Sequence, residues 1–91
     1  MRKVELLIGG ESRPAANGAS FERRNPVSGE VATLAAAATL ADADAAVAAA
    51  AAAFPAWAAL APSARRALLL KAAEIMDRRA PEFVATGVDE A

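Results

Sequence analysis

The hydrophobic and polar positions of this 91-residue chain follow one pattern before Thr39 and another after it. The first part contains short apolar runs interrupted by glycine, proline and asparagine, a pattern that is typical of strands joined by tight turns. The second part places large apolar residues at helical spacing among many alanines. The pattern therefore predicts a segment of β-hairpins over residues 1–38 and a helical segment over residues 39–91.

The first segment predicts two successive β-hairpins. Val4–Ile8 is a β-leaning run, and Gly9-Gly10 after it suits a hairpin turn because glycine tolerates positive φ at both central positions. A second hairpin is predicted further along, after a loop that contains the strong turn dipeptide Asn17-Gly18. Its parts are a strand at Ser20–Arg24, a turn at Asn25–Gly29 and a strand at Glu30–Leu34.

The helical segment begins with a pair of residues that resembles a capping box. Thr39 and Asp42 are three positions apart, so each side chain could bond the backbone N–H of the other. Large side chains then recur at intervals of about one heptad, which predicts a first helix with one narrow apolar stripe. The stripe consists of Leu40, Val47, Phe54 and Trp57.

Prolines are expected to divide the helical segment into two or three helices. Pro55 lacks the N–H that a helix interior needs, so it predicts an end or a kink near Phe54. Pro62 suits the first turn of a second helix, and Pro81 opens the last segment.

The second helix is predicted to be amphipathic. Glu74 and Arg78 are one turn apart on its outer face, where they would form a favourable ion pair. A helix with one apolar stripe needs a surface on which to bury it, and ordinary packing onto a larger body is the interpretation that we favour. The stripe consists of Leu68, Leu69, Ala72, Ile75, Met76 and Phe83.

The composition limits how much core this chain can form. Hydrophobic residues make up 56% of the sequence, but 29 of the 91 residues are alanine. Alanine buries little area, and a chain of this size buries only about 60% of its unfolded surface. We therefore expect either a piece of a larger fold or a module that depends on a partner.

The residue types present exclude most catalytic chemistry. The chain has no cysteine, histidine or tyrosine, and its net charge of −1 provides no basic surface for nucleic acid. Gly9-Gly10 lacks the G-x-G-x-x-G context of a dinucleotide site, and neighbouring Asp42 and Asp44 point to different sides of a helix. No histidine is present to activate a serine nucleophile (Ser20, Ser28 or Ser63). We predict no catalytic, cofactor-binding or metal-ligating residue.

A membrane location is also not expected. The longest uncharged run, Ala45–Ala64, is mostly alanine and contains two prolines. The apolar run near the N-terminus ends at Gly9-Gly10, which makes it too short for a signal peptide. The sequence is therefore expected to belong to a soluble, cytoplasmic protein.

Four stretches resemble the N-terminus of NAD(P)-dependent aldehyde dehydrogenases. Their order and spacing match the family over about residues 6–90, and within it they look most like the branch that oxidises aromatic aldehydes such as salicylaldehyde and vanillin. The combination of Asn-Pro-x-[Ser/Thr]-Gly-Glu with a later Ala-x-x-Ala-Phe-x-x-Trp is fairly specific. The stretches are Leu6–Glu11, Asn25–Val31, Ala46–Trp57 and Arg65–Leu70.

The resemblance implies a Rossmann-like α/β fold for the complete protein, in which this chain is an N-terminal α+β part of the cofactor-binding domain. It also implies NAD or NADP as cofactor, the remainder of the enzyme chain as partner, and a homo-oligomer. The family's catalytic cysteine, base glutamate and nucleotide contacts would lie outside these 91 residues, so no site residue is carried over and the chain alone should be inactive. Some members bind an alkali cation through carbonyls at the positions of Arg23 and Arg24, and we do not assign that site here.

Two hypotheses therefore follow from the sequence. In the first, the chain is the N-terminal part of an oxidoreductase that oxidises an aldehyde of the aromatic class to its carboxylic acid. In the second, it is a small helical protein-interaction module without catalytic activity, and its Leu40–Trp57 stripe binds a partner helix. A cooperative melt and a defined oligomer would favour the second hypothesis.

Overall fold

The computed structural model describes residues 1–91 as five short strands followed by three helices. All five strands precede the three helices along the chain, as the sequence pattern predicted. In chain order the elements are β1 Arg2–Val4, β2 Leu6–Ile8, β3 Glu11–Arg13, β4 Ser20–Arg24, β5 Val31–Ala36, α1 Leu40–Ala59, α2 Pro62–Arg78 and α3 Ala80–Glu90.

The strands form two small sheets, each containing one of the two predicted hairpins. β2 and β3 pair antiparallel, and their turn places Gly9 at φ 61° and Gly10 at φ 81°. Positive φ at both positions is what a two-residue primed hairpin turn requires, so the prediction from the glycine pair is confirmed. β4 and β5 also pair antiparallel, with Phe21 opposite Ala35, and β1 adds to the other edge of β5.

The prediction of one extended run over Val4–Ile8 is wrong. The chain leaves the first sheet after Val4 and enters the second at Leu6, so that β1 and β2 belong to different sheets. β1 pairs in parallel with β5, placing Arg2 opposite Thr33. A parallel neighbour must come from a distant part of the chain, so the residues of β1 themselves give no signal of this pairing.

Helix α1 begins as the sequence predicted, and of the two effects predicted for Pro55, an end or a kink, the end is wrong. The capping box of Thr39 and Asp42 is present at its N-terminus. The helix does not end near Phe54 but continues through Pro55 to Ala59. An interior proline costs about 3 kcal/mol relative to alanine, and the high helix propensity of the surrounding alanines helps to offset this cost.

Helices α2 and α3 both have a proline in their first turn, as predicted. Pro62 and Pro81 occupy the first turns of the two helices, where a missing N–H leaves no hydrogen bond unmade. The predicted ion pair between Glu74 and Arg78 is not formed, because an exposed pair gains little and must immobilise two long side chains. The ion pairs of the structure are Arg2–Asp89, Arg23–Glu90, Arg24–Glu22 and Arg79–Glu82.

The chain has almost no hydrophobic core. Only Ala15, Thr33 and Asp42 are buried, and two of these three residues are polar. The radius of gyration is 16.5 Å, whereas a compact domain of this length has about 12 Å. The accessible surface is 6796 Å², whereas a folded monomer of 9.2 kDa exposes about 4,900 Å². The elements are thus arranged as they would be in a larger body, with much of their apolar surface uncovered.

The apolar stripe of α1 is largely exposed to solvent. Leu40, Val47 and Phe54 each expose about two thirds or more of their surface, and Trp57 exposes 41%. The stripe is therefore present at the predicted spacing, but nothing in these 91 residues covers it. No helix of the chain is both long enough and apolar enough to cross a membrane.

Candidate functional site

Two polar clusters join helices α1 and α3 to the N-terminal part of the chain, and the first is centred on Asp42. One carboxylate oxygen, Oδ2, accepts hydrogen bonds from the backbone N–H of Thr39 at 2.8 Å and of Ala16 at 3.1 Å. The Thr39 hydroxyl donates to the same oxygen at 3.0 Å. The side chain therefore ties the loop that follows β3 to the first turn of α1.

These donors also favour the ionised form of Asp42. The backbone N–H of Thr39 is the main cause that lowers the pKa of this carboxyl, followed by that of Ala16. The lowering prevails over the opposite effect of burial because three donors stabilise the ionised form. A carboxylate held in this way is a structural acceptor and not a free base. The capping role that the sequence favoured for Asp42 is confirmed.

Replacing Asp42 by alanine should loosen the start of α1. We expect Asp42→Ala to reduce hydrogen-exchange protection at Ala16 and in the first turn of α1 by several-fold, because two backbone donors lose their acceptor. Asp44→Ala is the matched control, since Asp44 is exposed and its side chain makes no hydrogen bond or ion pair. Equal loss of protection in both variants would contradict this role.

The contribution of Asp42 should also depend on pH. Its folded pKa lies below the ordinary value of 3.8, so the contribution is present above that value and is lost as the pH falls through the folded pKa. The hydrogen-exchange protection that the unsubstituted chain shows over Asp42→Ala, at Ala16 and in the first turn of α1, should therefore become smaller below about pH 4.

The second cluster joins the end of α3 to the three-stranded sheet. Arg23 Nε on β4 lies 2.5 Å from Glu90 Oε1, and the Thr33 hydroxyl on β5 donates to Glu90 Oε2 at 2.9 Å. Next to it, Arg2 on β1 forms an ion pair of 2.9 Å with Asp89. Glu90 exposes only 16% of its side chain, so both of its oxygens are largely shielded from water. We call Arg23, Thr33 and Glu90 the Glu90 cluster.

The turn between β4 and β5 is closed by hydrogen bonds of its own and begins two residues after Arg23 of this cluster. The Asn25 side-chain oxygen accepts from the backbone N–H of Val27 at 2.8 Å and of Ser28 at 3.1 Å. Gly29 has φ 76°, and its carbonyl accepts from Arg24 Nη1 at 2.9 Å. The turn predicted from the Asn-Pro-Val-Ser-Gly sequence is confirmed, and its polar atoms are used in holding its own shape.

The residues considered as nucleophiles lie on separate elements. Ser20 is on β4, Ser28 is in the turn after it, and Ser63 is in the first turn of α2. Ser28 Oγ accepts from the backbone N–H of Glu30 at 3.3 Å. No three carboxylate, histidine or cysteine side chains come together to form a group that could hold a metal ion. The arrangement can position strands and helices, but it brings no reacting groups together.

Comparisons with known proteins identify the family to which this chain belongs. The aldehyde dehydrogenase family model matches residues 13–91, and the chain belongs to that family. It is 66% identical over 84 residues to the vanillin dehydrogenase of Pseudomonas fluorescens, covering 92% of this chain and 17% of that protein. It is 43% identical over 82 residues to the salicylaldehyde dehydrogenase of Pseudomonas putida, covering 90% of this chain and 17% of that protein.

A solved structure confirms the fold. The crystal structure of a salicylaldehyde dehydrogenase from Pseudomonas putida G7, complexed with salicylaldehyde, superimposes with a TM-score of 0.91 at 41% sequence identity. The match covers 94% of this chain and 18% of that chain. The chain thus corresponds to the N-terminal part of the aldehyde dehydrogenase fold and spans about one sixth of the length of these relatives.

Sequence reasoning missed the Glu90 cluster. Glu90 is 67 positions from Arg23 and 57 from Thr33, and none of the three residues belongs to a recognisable motif. The sequence contains an acidic pair, Asp89-Glu90, and several arginines in the predicted strands, but it does not say which arginine meets which acid.

Proposed function

We propose that this chain is the N-terminal part of an NAD(P)-dependent oxidoreductase that oxidises an aromatic aldehyde to its carboxylic acid. The observation that carries the proposal is the 66% identity to a vanillin dehydrogenase over 92% of the chain. The similarity to salicylaldehyde dehydrogenases in sequence and in fold supports the same class of substrate. Vanillin and salicylaldehyde are both hydroxylated benzaldehydes, so we propose a substrate of that kind.

The role of these 91 residues in that enzyme is structural. The chain has no cysteine, so the thiol that attacks the aldehyde must come from the remainder of the enzyme. The residues present do not fit a dinucleotide either, because Gly9-Gly10 closes a β-hairpin and does not lead from a strand into a helix. The segment supplies the opening hairpins and helices on which the cofactor-binding domain is built, and alone it should be inactive.

Three further properties belong to the proposal. The complete enzyme uses NAD or NADP, it assembles as a homo-oligomer, and it acts in the cytoplasm. Each of these is supported by the family to which the chain belongs and by its similarity to the bacterial aromatic-aldehyde dehydrogenases.

A chimeric enzyme tests the proposal. The 91 residues replace the matched N-terminal segment of the vanillin dehydrogenase of Pseudomonas fluorescens, and NADH formation is followed with vanillin and with salicylaldehyde. We expect kcat/KM for vanillin within about tenfold of the parent, because related cores tolerate substitutions that conserve volume and pattern.

The control for this experiment is the parent enzyme without the segment, which should be inactive. A chimera that folds as the parent does, yet oxidises neither aldehyde, would contradict the proposal. The alternative interaction module is favoured only by the exposed apolar stripe of α1, and a melt of the isolated chain separates it from the enzyme hypothesis.

A further inference from the structure

The loop between β3 and β4 contains an asparagine with a chemically reactive neighbour. The sequence has two asparagines, Asn17 before Gly18 and Asn25 before Pro26. An asparagine loses its side-chain amide when the backbone nitrogen of the following residue attacks the side-chain carbon and closes a five-membered ring. Glycine offers this nitrogen without a Cβ to hinder it, whereas the nitrogen of proline has no hydrogen to lose. Of the two asparagines, Asn17 is therefore the one that this reaction can reach.

The structure leaves Asn17 and Gly18 free to react. Both residues are exposed, and a Cβ built on Gly18 would meet no atom within 4 Å. The backbone N–H of Ala19 donates to Asn17 Oδ1 at 3.0 Å, which draws electrons away from the carbon that is attacked. One contact opposes the reaction, because the Gly18 N–H donates to the Ala15 carbonyl at 2.8 Å and must first be released. Opening one exposed turn hydrogen bond slows the reaction about two- to tenfold and does not prevent it.

The composition of this loop distinguishes it from the apolar stripes of the helices. Residues 14–19 contain no large apolar side chain, so the loop presents no apolar surface that needs a cover. The loop is nevertheless joined to α1, because the backbone N–H of Ala16 donates to Asp42 Oδ2 at 3.1 Å. A change in the main chain at Asn17 would act on the residue next to this contact.

We propose that Asn17 is a site of spontaneous deamidation and that the reaction loosens the contact between this loop and helix α1. The Gly18 nitrogen loses its proton to solvent base and bonds to Asn17 Cγ, while Nδ2 takes up a proton and leaves as ammonia. Water then adds to one carbonyl of the ring and cleaves its bond to the nitrogen. Cleavage at Cγ gives aspartate, and cleavage at the main-chain carbonyl gives isoaspartate. No group is oxidised or reduced in either step.

Isoaspartate is the product with the larger structural effect. It routes the main chain through the former side chain and adds one methylene between positions 17 and 18, which displaces the Gly18 N–H from the Ala15 carbonyl. Aspartate keeps the original main chain and a side-chain oxygen that accepts hydrogen bonds. We therefore expect the isoaspartate form to lose hydrogen-exchange protection at Ala16 several-fold, and Asn17→Asp to lose little, because only the former disturbs the N–H that donates to Asp42.

Peptide mapping of the chimeric enzyme tests the proposal. Trypsin cuts after Arg23 and Arg24, so the two asparagines lie on separate peptides, and the mass of each peptide reports the change from amide to carboxyl. During incubation at mildly alkaline pH we expect Asn17 to be converted at least about tenfold faster than Asn25, which is the matched internal control. The folded enzyme should convert Asn17 within about tenfold of its rate in urea, because one turn hydrogen bond has to open.

Three outcomes would overturn the proposal. Conversion of Asn17 in the folded enzyme that is slower than this tenfold limit would show that the fold shields the site. Equal conversion of Asn17 and Asn25 would show that the neighbouring nitrogen is not the nucleophile. Equal protection at Ala16 in the isoaspartate form and in Asn17→Asp would show that the reaction does not act on the contact with α1. None of these measurements uses aldehyde oxidation, so they stand apart from the proposed function.

Discussion

The isolated 91-residue chain is expected to unfold without a cooperative transition and to bind the dye ANS with a several-fold rise in fluorescence. Cooperative unfolding needs a shared core, and only three residues of this chain are buried. Helix should still be visible by circular dichroism, because α1 is rich in alanine and carries a complete capping box. The measurement is a thermal melt by far-UV circular dichroism together with a titration of ANS.

The same segment within the chimeric enzyme is the control for this experiment. There it should melt together with the rest of the protein and bind little dye, because the remainder covers the exposed stripes. A sharp melt of the isolated chain, with a defined oligomer and no dye binding, would contradict the prediction. That result would favour the interaction module, in which copies of the chain or a partner helix cover the Leu40–Trp57 stripe.

Features that depend on neighbouring residues could be predicted from the sequence. Thr39 and Asp42 are three positions apart, and the capping box that they form needs no other part of the chain. Gly9-Gly10 specifies its hairpin because few other residues accept positive φ at both turn positions. Pro62 likewise marks a helix start through its own fixed φ and missing N–H.

Features that depend on distant residues could not be predicted. β1 exists because Arg2–Val4 pairs with the middle of β5, about thirty positions away. The passage of α1 through Pro55 depends on the whole helix, since a single unfavourable residue is outweighed by its favourable neighbours. Glu74 and Arg78 had the right spacing for an ion pair, but spacing supplies little free energy at an exposed site.

The functional assignment came from the resemblance of the sequence to a family and not from the physical chemistry of single residues. No residue of the chain carries the proposed chemistry, so physical reasoning from residue types could only exclude a nucleophile and a dinucleotide turn. The order of the four matching stretches indicated the family, and the comparisons confirm it. No residue of the segment covers the apolar stripes, and for this reason their periodicity predicted a partner but not its identity.

Replacing Glu90 by alanine is expected to detach the end of α3 from the sheet. The change leaves Thr33, which is 2% exposed, without the acceptor for its hydroxyl, and it leaves Arg23 without its counter-ion. Losing charged hydrogen bonds at a largely buried carboxylate costs about 2 kcal/mol. Hydrogen-exchange protection of the α3 amides in the chimeric enzyme should therefore fall by roughly thirtyfold.

Glu82→Ala is the matched control, because Glu82 is on the same helix and also pairs with an arginine, Arg79. Both side chains of that pair are about 60% exposed, so its loss should cost less than about 0.5 kcal/mol and change protection about twofold. If the two variants lose protection equally, shielding of Glu90 contributes nothing and α3 is held by other contacts. If only Glu90→Ala loses protection, the Glu90 cluster holds the end of α3 on the sheet.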